Sequence, residues 1–184
     1  MNPPTNLKPF RDYSEHEVIN LFATQEGVLP GGTFVQLVSF DPDNHSSFGA
    51  TLPYLPPYAH TSDYIVNARV QKATATTGVL GLTLYSVAVT MPYLGTPANL
   101  ADPIRLAELQ LVPSGRAVPI LKRGVVELSG FSGAPFPGLA AVISTGSGTV
   151  GLLTVAAAGT TPNVGTWLSQ SGADGAAILQ VKCV

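Results

Sequence analysis

Val118-Pro-Ile-Leu-Lys-Arg-Gly-Val-Val-Glu-Leu128 is the stretch on which the reading of the fold turns. Two runs of strand-forming residues, Val118–Leu121 and Gly124–Leu128, flank Lys122-Arg123, a pattern that predicts a hairpin. The same punctuation recurs on both sides of it. Upstream lie Thr33-Phe-Val-Gln-Leu-Val-Ser-Phe40, Tyr64-Ile-Val-Asn-Ala-Arg-Val70 and Gly78-Val-Leu-Gly-Leu-Thr-Leu-Tyr85, with Ser86-Val-Ala-Val-Thr-Met91 continuing the last or starting another strand. Downstream lie Ala140–Ile143, Leu152–Val155, Trp167-Leu168 and Ala177–Lys182. Short strands separated by Gly, Pro, Asn and Asp at intervals of roughly ten residues predict a mainly β fold, an antiparallel β-sandwich or barrel.

Composition points the same way. The 184 residues include 19 glycines and 16 prolines, and 45% are hydrophobic. Only 11% are charged, against about 25% in an ordinary soluble domain. So many breakers argue against a coiled coil or helical bundle. High apolar content with a net charge of -2 argues against charge-driven disorder. An isoelectric point near 5.8 lacks the basic excess of a nucleic-acid binder.

The charges are unevenly placed. Residues 1–26 hold Lys8, Arg11, Asp12, Glu15, Glu17 and Glu26, whereas the 46 residues from Leu128 to Ala173 and the 29 from Ala73 to Ala101 hold none. A membrane-spanning helix needs about 20 mostly apolar residues. Pro92, Pro135, Pro137, Gly146 and Gly148 interrupt these runs, so no span is expected. The polar start Met-Asn-Pro-Pro-Thr-Asn has no apolar core segment, so a secretory leader is not expected either.

Three regions follow from this patterning. Residues 1–32 read as a polar N-terminal arm and residues 33–184 as a β domain, into which 41–62 insert a long Pro/Tyr-rich loop with Tyr54 and Tyr58. Loops of that length are often binding elements. Within the arm, Ser14-Glu15-His16-Glu17 matches a capping box ahead of Val18, Ile19, Leu21 and Phe22. This predicts a short helix, but the β-branched Val18 and Ile19 equally suit an extended segment laid on a partner.

No catalytic, metal or cofactor residues emerge. Gly146-Ser-Gly-Thr-Val-Gly151 matches the dinucleotide-binding glycine pattern by letter, yet that pattern acts only between a strand and a helix, and Gly159 and Pro162 leave too little room for the helix. A Ser/Gly hairpin turn is the simpler reading. Asp41-Pro-Asp-Asn-His45 opens like a calcium loop, but Ser46 and Leu52 stand where the loop needs Gly and Glu. His16, His45 and His60 fit no ligand spacing. There is no Gly-x-Ser-x-Gly elbow, and the single cysteine, Cys183, reads as a thiol of no chemical role. The acids beyond the loop are Asp63, Asp102, Glu108, Glu127 and Asp174, the last in a hairpin turn with Gly175.

The order of motifs in residues 118–184 carries a resemblance. After the Val118–Leu128 stretch come Gly130-Phe-Ser-Gly-Ala-Pro-Phe-Pro-Gly138, Asn163-Val-Gly-Thr-Trp-Leu-Ser169 and Asp174-Gly-Ala-Ala-Ile-Leu-Gln-Val-Lys182. This is similar to the closing part of the capsid decoration (cement) proteins of tailed bacteriophages. Tyr13–Ala23 and Gly78–Tyr85 also resemble segments of such virion structural proteins. The resemblance implies a non-enzymatic protein made in the host cytoplasm and placed on the outer surface of the virion capsid. It implies the major capsid protein as partner, a homotrimer, and neither nucleic acid nor membrane. The arm would contact the capsid through Val18, Ile19, Leu21 and Phe22, with loop contacts at Tyr54 and Tyr58.

Two other readings stand beside it. One is a carbohydrate-binding β-sandwich used in host attachment, stacking sugars on Tyr54, Tyr58 and an exposed Trp167. The other is a polysaccharide hydrolase, which needs a pair of acids in a cleft. Low surface charge favours an assembly component, because such a surface is poorly soluble unless neighbours cover it.

Overall fold

The alternation in Arg123–Leu128 is that of a half-buried strand. Gly124, Val126 and Leu128 are buried, whereas Arg123 is exposed and Val125 and Glu127 are intermediate. A period of two places successive side chains on opposite faces, so this strand has one face on a core and one outward. The computed structural model describes residues 7–9, 17–19, 22–24, 28–40, 68–88, 111–113, 117–144 and 153–183. Among them there are strands and turns and no α-helix.

The strands in chain order are β1 (Leu7–Pro9), β2 (Val18–Ile19), β3 (Phe22–Thr24), β4 (Phe34–Phe40), β5 (Ala68–Lys72), β6 (Val79–Thr83) and β7 (Ser86–Ala88). They continue with β8 (Leu111–Pro113), β9 (Ile120–Leu121), β10 (Arg123–Leu128), β11 (Ala140–Ile143), β12 (Leu153–Ala156), β13 (Gly165–Trp167) and β14 (Ala177–Lys182). One sheet runs β1-β10-β14-β13-β11-β12, entirely antiparallel. A second runs β2-β9-β6-β4-β5-β3, antiparallel except for the β3–β5 pair. A third, small sheet pairs β7 with β8 in parallel. The fold is mainly β and sandwich-like, and neither large sheet closes into a barrel among the described residues.

Two layers of core hold the sheets together. The larger one takes Leu7, Val126, Leu128, Trp167, Leu179 and Val181 from the first sheet, and Phe34, Val79, Leu82 and Leu121 from the second. The smaller one lies on the other face of the second sheet, where Val35, Val70 and Ile120 meet Leu29, Val87, Val112 and Val118. The second sheet therefore carries a core on each face, and neighbouring residues such as Phe34/Val35 and Ile120/Leu121 divide between the two cores. Each fully buried Leu, Phe or Val contributes about 1.5–3 kcal/mol over its exposed state.

The buried polar groups where the chain enters β4 are hydrogen-bonded, as most buried polar atoms are. The Thr33 amide donates to Thr83 Oγ1 at 3.2 Å, and the Thr33 hydroxyl donates to the Pro30 carbonyl at 2.9 Å. The Gly31 amide donates to Ser86 Oγ at 2.9 Å. Leu29 and Val87 exchange both backbone bonds at 3.0 and 2.6 Å, which fastens β7 to the chain entering β4.

The structure corrects the reading of Val118–Leu128. Its two halves do not form a hairpin: β9 pairs with β2 and β6 in the second sheet, whereas β10 pairs with β1 and β14 in the first. Lys122 is the crossing point. Its amide donates to the Glu17 carbonyl at 2.8 Å, and its carbonyl accepts from the Cys183 amide at 3.0 Å. With Lys122 alone between them, β9 and β10 have no room for the two-residue loop of a tight hairpin. Ser86 likewise starts a separate strand in the third sheet and does not prolong β6.

Of the two readings of the stretch after the capping box, the described residues adopt the extended one. Val18–Ile19 pair with Ile120–Leu121, and Phe22–Thr24 run parallel to Ala68–Val70. Pairing with the sheet gives these β-branched residues partners that an isolated two-turn helix would lack. Leu7–Pro9 add a strand to the first sheet, with Leu7 only 2% exposed in the main core. Where they are described, residues 1–32 thus contribute to both sheets. Leu21, Tyr54 and Tyr58 lie outside the described residues, as do 41–62 as a whole.

Candidate functional site

The antiparallel pairing of β14 with both β10 and β13 delivers the end of the chain to a cleft between the two large sheets. Lys182 donates its amide to the Val164 carbonyl at 2.9 Å, and Cys183 donates its amide to the Lys122 carbonyl at 3.0 Å. The opposite wall is the turn between β5 and β6, which ends at Gly78 with φ +74°, a left-handed conformation suited to glycine. Thr76 Oγ1 in this turn accepts the Ile143 amide at 3.0 Å, so one hydroxyl clasps the second sheet to β11 of the first. The cleft measures about 420 Å³ and is lined by Thr76–Val79, Thr161–Val164, Lys182 and Cys183.

Its chemistry is that of donors. Among the described residues its lining contains no acid and no histidine. Asn163 turns its amide inward to its own loop, donating to the Thr160 carbonyl at 2.7 Å. Burial pushes the Cys183 thiol up to about 12, with the positive charge of Lys122 pulling the other way. A thiol with that pKa stays protonated at neutral pH and is a poor nucleophile, because the thiolate is the reactive form. What the cleft offers is hydroxyl groups and positive charge.

The residues singled out in the sequence are placed as follows. Val18 is half-buried and packs against the main core, and Ile19 is half-buried on the same short strand. Trp167 is not on an exposed face: it is fully buried in the main core, with its ring centroid 4.7 Å from that of Phe131. The alternation of β13 (buried, intermediate, buried) sends Trp167 inward beside Leu179, so it cannot stack on a sugar. Its Nε1 has no hydrogen-bond partner among the described residues. Asp174 Oδ1 accepts the Ala176 amide at 3.2 Å and stabilises the turn between β13 and β14, in which Gly175 has φ +76°. Glu127 lies opposite Ile178 on β10. Asp63, Asp102, Glu108 and the three histidines lie outside the described residues, and among those described no cluster could hold a metal ion.

The glycine motif at 146–151 also lies outside the described residues, but its flanks are informative. β11 and β12 pair antiparallel with Ile143 opposite Leu153, so the motif joins neighbouring strands and is followed by a strand, where dinucleotide binding needs a helix.

Two features escaped sequence reasoning. Phe136 and Leu168 are 55% and 45% exposed although both lie in the uncharged run. A backbone bond from the Gly138 amide to the Trp167 carbonyl (2.9 Å) holds the two segments side by side, and one from the Leu168 amide to the Ile178 carbonyl (2.8 Å) ties Leu168 to β14. The second is that Lys122, Arg123 and Lys182 gather beside the cleft, since Arg123 lies opposite Lys182 in the β10–β14 ladder. The alternation of β14 places Lys182 on the outward face, but only the register brings Arg123 to it. The chain matches no protein-family model and no curated protein.

Proposed function

We propose that the protein is a non-enzymatic structural component of a tailed-phage virion, which binds the outside of the capsid and bridges neighbouring shell subunits. The observation that carries this reading is the exposed apolar pair Phe136 and Leu168, presented by fixed backbone on a sheet whose strands β11, β12 and β13 lie within a 46-residue uncharged run. Large exposed hydrophobics within an uncharged stretch of sequence gain about 25 cal/mol per Å² of apolar surface covered by a partner. A wide, weakly charged contact of this kind suits a stabilising shell protein better than it suits a catalyst. The motif order of residues 118–184 supports the same family of partners. The sugar-binding alternative loses Trp167 to the core and rests on Tyr54 and Tyr58 alone.

The test is co-sedimentation with purified heads that lack the protein, together with light scattering for its own oligomeric state. The expected result is a trimer that binds heads, with Phe136→Asp and Leu168→Asp weakening binding at least tenfold at an unchanged unfolding midpoint. A monomer indifferent to heads would sink the reading.

A further inference from the structure

We propose that the corner formed by Lys122, Arg123 and Lys182, with the cleft beside it, binds a small multivalent anion of the carboxylate or phosphate class. The argument starts from register. Arg123 and Lys182 are directly opposed in the β10–β14 ladder, so their side chains leave the same face of the sheet. Directly opposed like charges destabilise an antiparallel pair. Lys122 adds a third charge, since its carbonyl is bonded to the amide of Cys183 on the cleft wall and its ammonium group acts on the Cys183 thiol. These are the only Lys or Arg residues between 117 and 184, and the fold gathers all three at one place.

Nothing described neutralises them fully. Glu17 meets this corner through its carbonyl, which accepts the Lys122 amide, and a single carboxylate there leaves a positive excess. Glu127 shares the outward face of β10 but stands four residues from Arg123, about 13 Å at strand rise. That exceeds the screening length of about 8 Å at physiological salt. Asp174 is bonded into its own turn. An anion supplied from solution would remove the repulsion between Arg123 and Lys182.

The cleft provides the rest of a binding site. Lys182 lines it directly, and among the described residues no acid does. Because Thr76 Oγ1 accepts the Ile143 amide, its hydroxyl hydrogen is left to donate, with the Thr77 hydroxyl next to it on the same wall. Arg123 supplies the planar fork that binds carboxylate or phosphate through two parallel bonds. A volume of about 420 Å³ admits an anion of the size of phosphate to citrate.

The experiment titrates the full chain with inorganic phosphate and with citrate, holding ionic strength constant with sodium chloride. Calorimetry gives the affinity and amide NMR shifts give the location. Saturable binding is expected, tighter for citrate, with the largest shifts at Thr76, Thr77, Lys182 and Cys183. Arg123→Gln and Lys182→Gln should each weaken binding about tenfold, the loss of one charge-assisted contact. Absence of saturable binding for both anions would overturn the proposal, as would shifts confined to other parts of the protein. A glutamate-rich peptide that binds here when neither small anion does would also overturn it, in favour of an acidic protein segment. The NMR footprint on the unaltered protein keeps the test decisive should either variant fail to fold.

Discussion

Leu7→Ala tests whether the beginning of the chain belongs to the sandwich. Leu7 lies opposite Leu128 at the edge of the first sheet and is only 2% exposed, packed in the main core. Buried Leu→Ala substitutions cost about 2–5 kcal/mol, the sum of lost transfer energy and the cavity left behind. A three-residue edge strand can partly collapse onto a smaller side chain, which places this site near the lower end, at about 2–3 kcal/mol. For a chain of this size each kcal/mol lowers the melting temperature by about 2–4 °C, so the expected drop is about 4–12 °C. Urea unfolding followed by intrinsic fluorescence is a suitable assay, because Trp167 is the only tryptophan and is fully buried. Leu37→Ala serves as control: Leu37 is 50% exposed and its loss should change stability by no more than about 0.5 kcal/mol. Were Leu7→Ala as mild as the control, β1 would not be part of the folded sheet, and the place of Leu7–Pro9 beside β10 would be refuted.

Two further expectations concern close approach and buried ionisation. A Cβ at Gly165 would overlap the Gln180 carbonyl, and backbone cannot yield as a flexible side chain does. Gly165→Ala should therefore cost about 1–3 kcal/mol or more, whereas Gly175→Ala, with open space and only its φ of +76° to strain, should cost about 1–2 kcal/mol. A Gly165→Ala protein with an unchanged urea midpoint would contradict the close approach of β13 to β14. For Cys183 the folded pKa is raised from 9.0 to about 12, so the native state holds the proton longer than the unfolded state. Its contribution to stability is complete below pH 9 and is lost as pH rises from 9 towards 12, a slope that Cys183→Ala should remove. At pH 8 a disulfide reagent should label Cys183 much more slowly in the native protein than in urea, and equal rates would refute its burial.

How much of this was legible beforehand depends on the range of the physics involved. Strand positions such as Phe34–Phe40, Ala140–Ile143 and Ala177–Lys182 follow from local alternation and turn residues, and they stand where the sequence predicts them. The Asp174-Gly175 turn was equally legible, since both its hydrogen bond and its left-handed glycine are local. The Val118–Leu128 stretch misled because two adjacent strand runs around a polar pair resemble a hairpin whether or not they pair with each other. Their separation into different sheets depends on β2, β6, β1 and β14, all remote in sequence from the turn. Trp167 misled for a related reason: whether a strand residue faces solvent or core depends on which face the other sheet covers.

The sequence by itself determined that this chain is a weakly charged, turn-rich β protein, because strand propensity, two-residue alternation and breaker spacing are properties of neighbouring residues. It also determined that charge is absent from Leu128 to Ala173. Only the tertiary structure decided that the second sheet carries a core on each face, that Lys122 is a crossing between sheets, and that Arg123 meets Lys182 across 59 positions of sequence. Pairing between distant strands is selected by the burial of whole faces together. A shift of one residue in β14 would expose Leu179 and Val181 to water and turn Lys182 inward, so the register that protects the core is also the one that assembles the cationic corner.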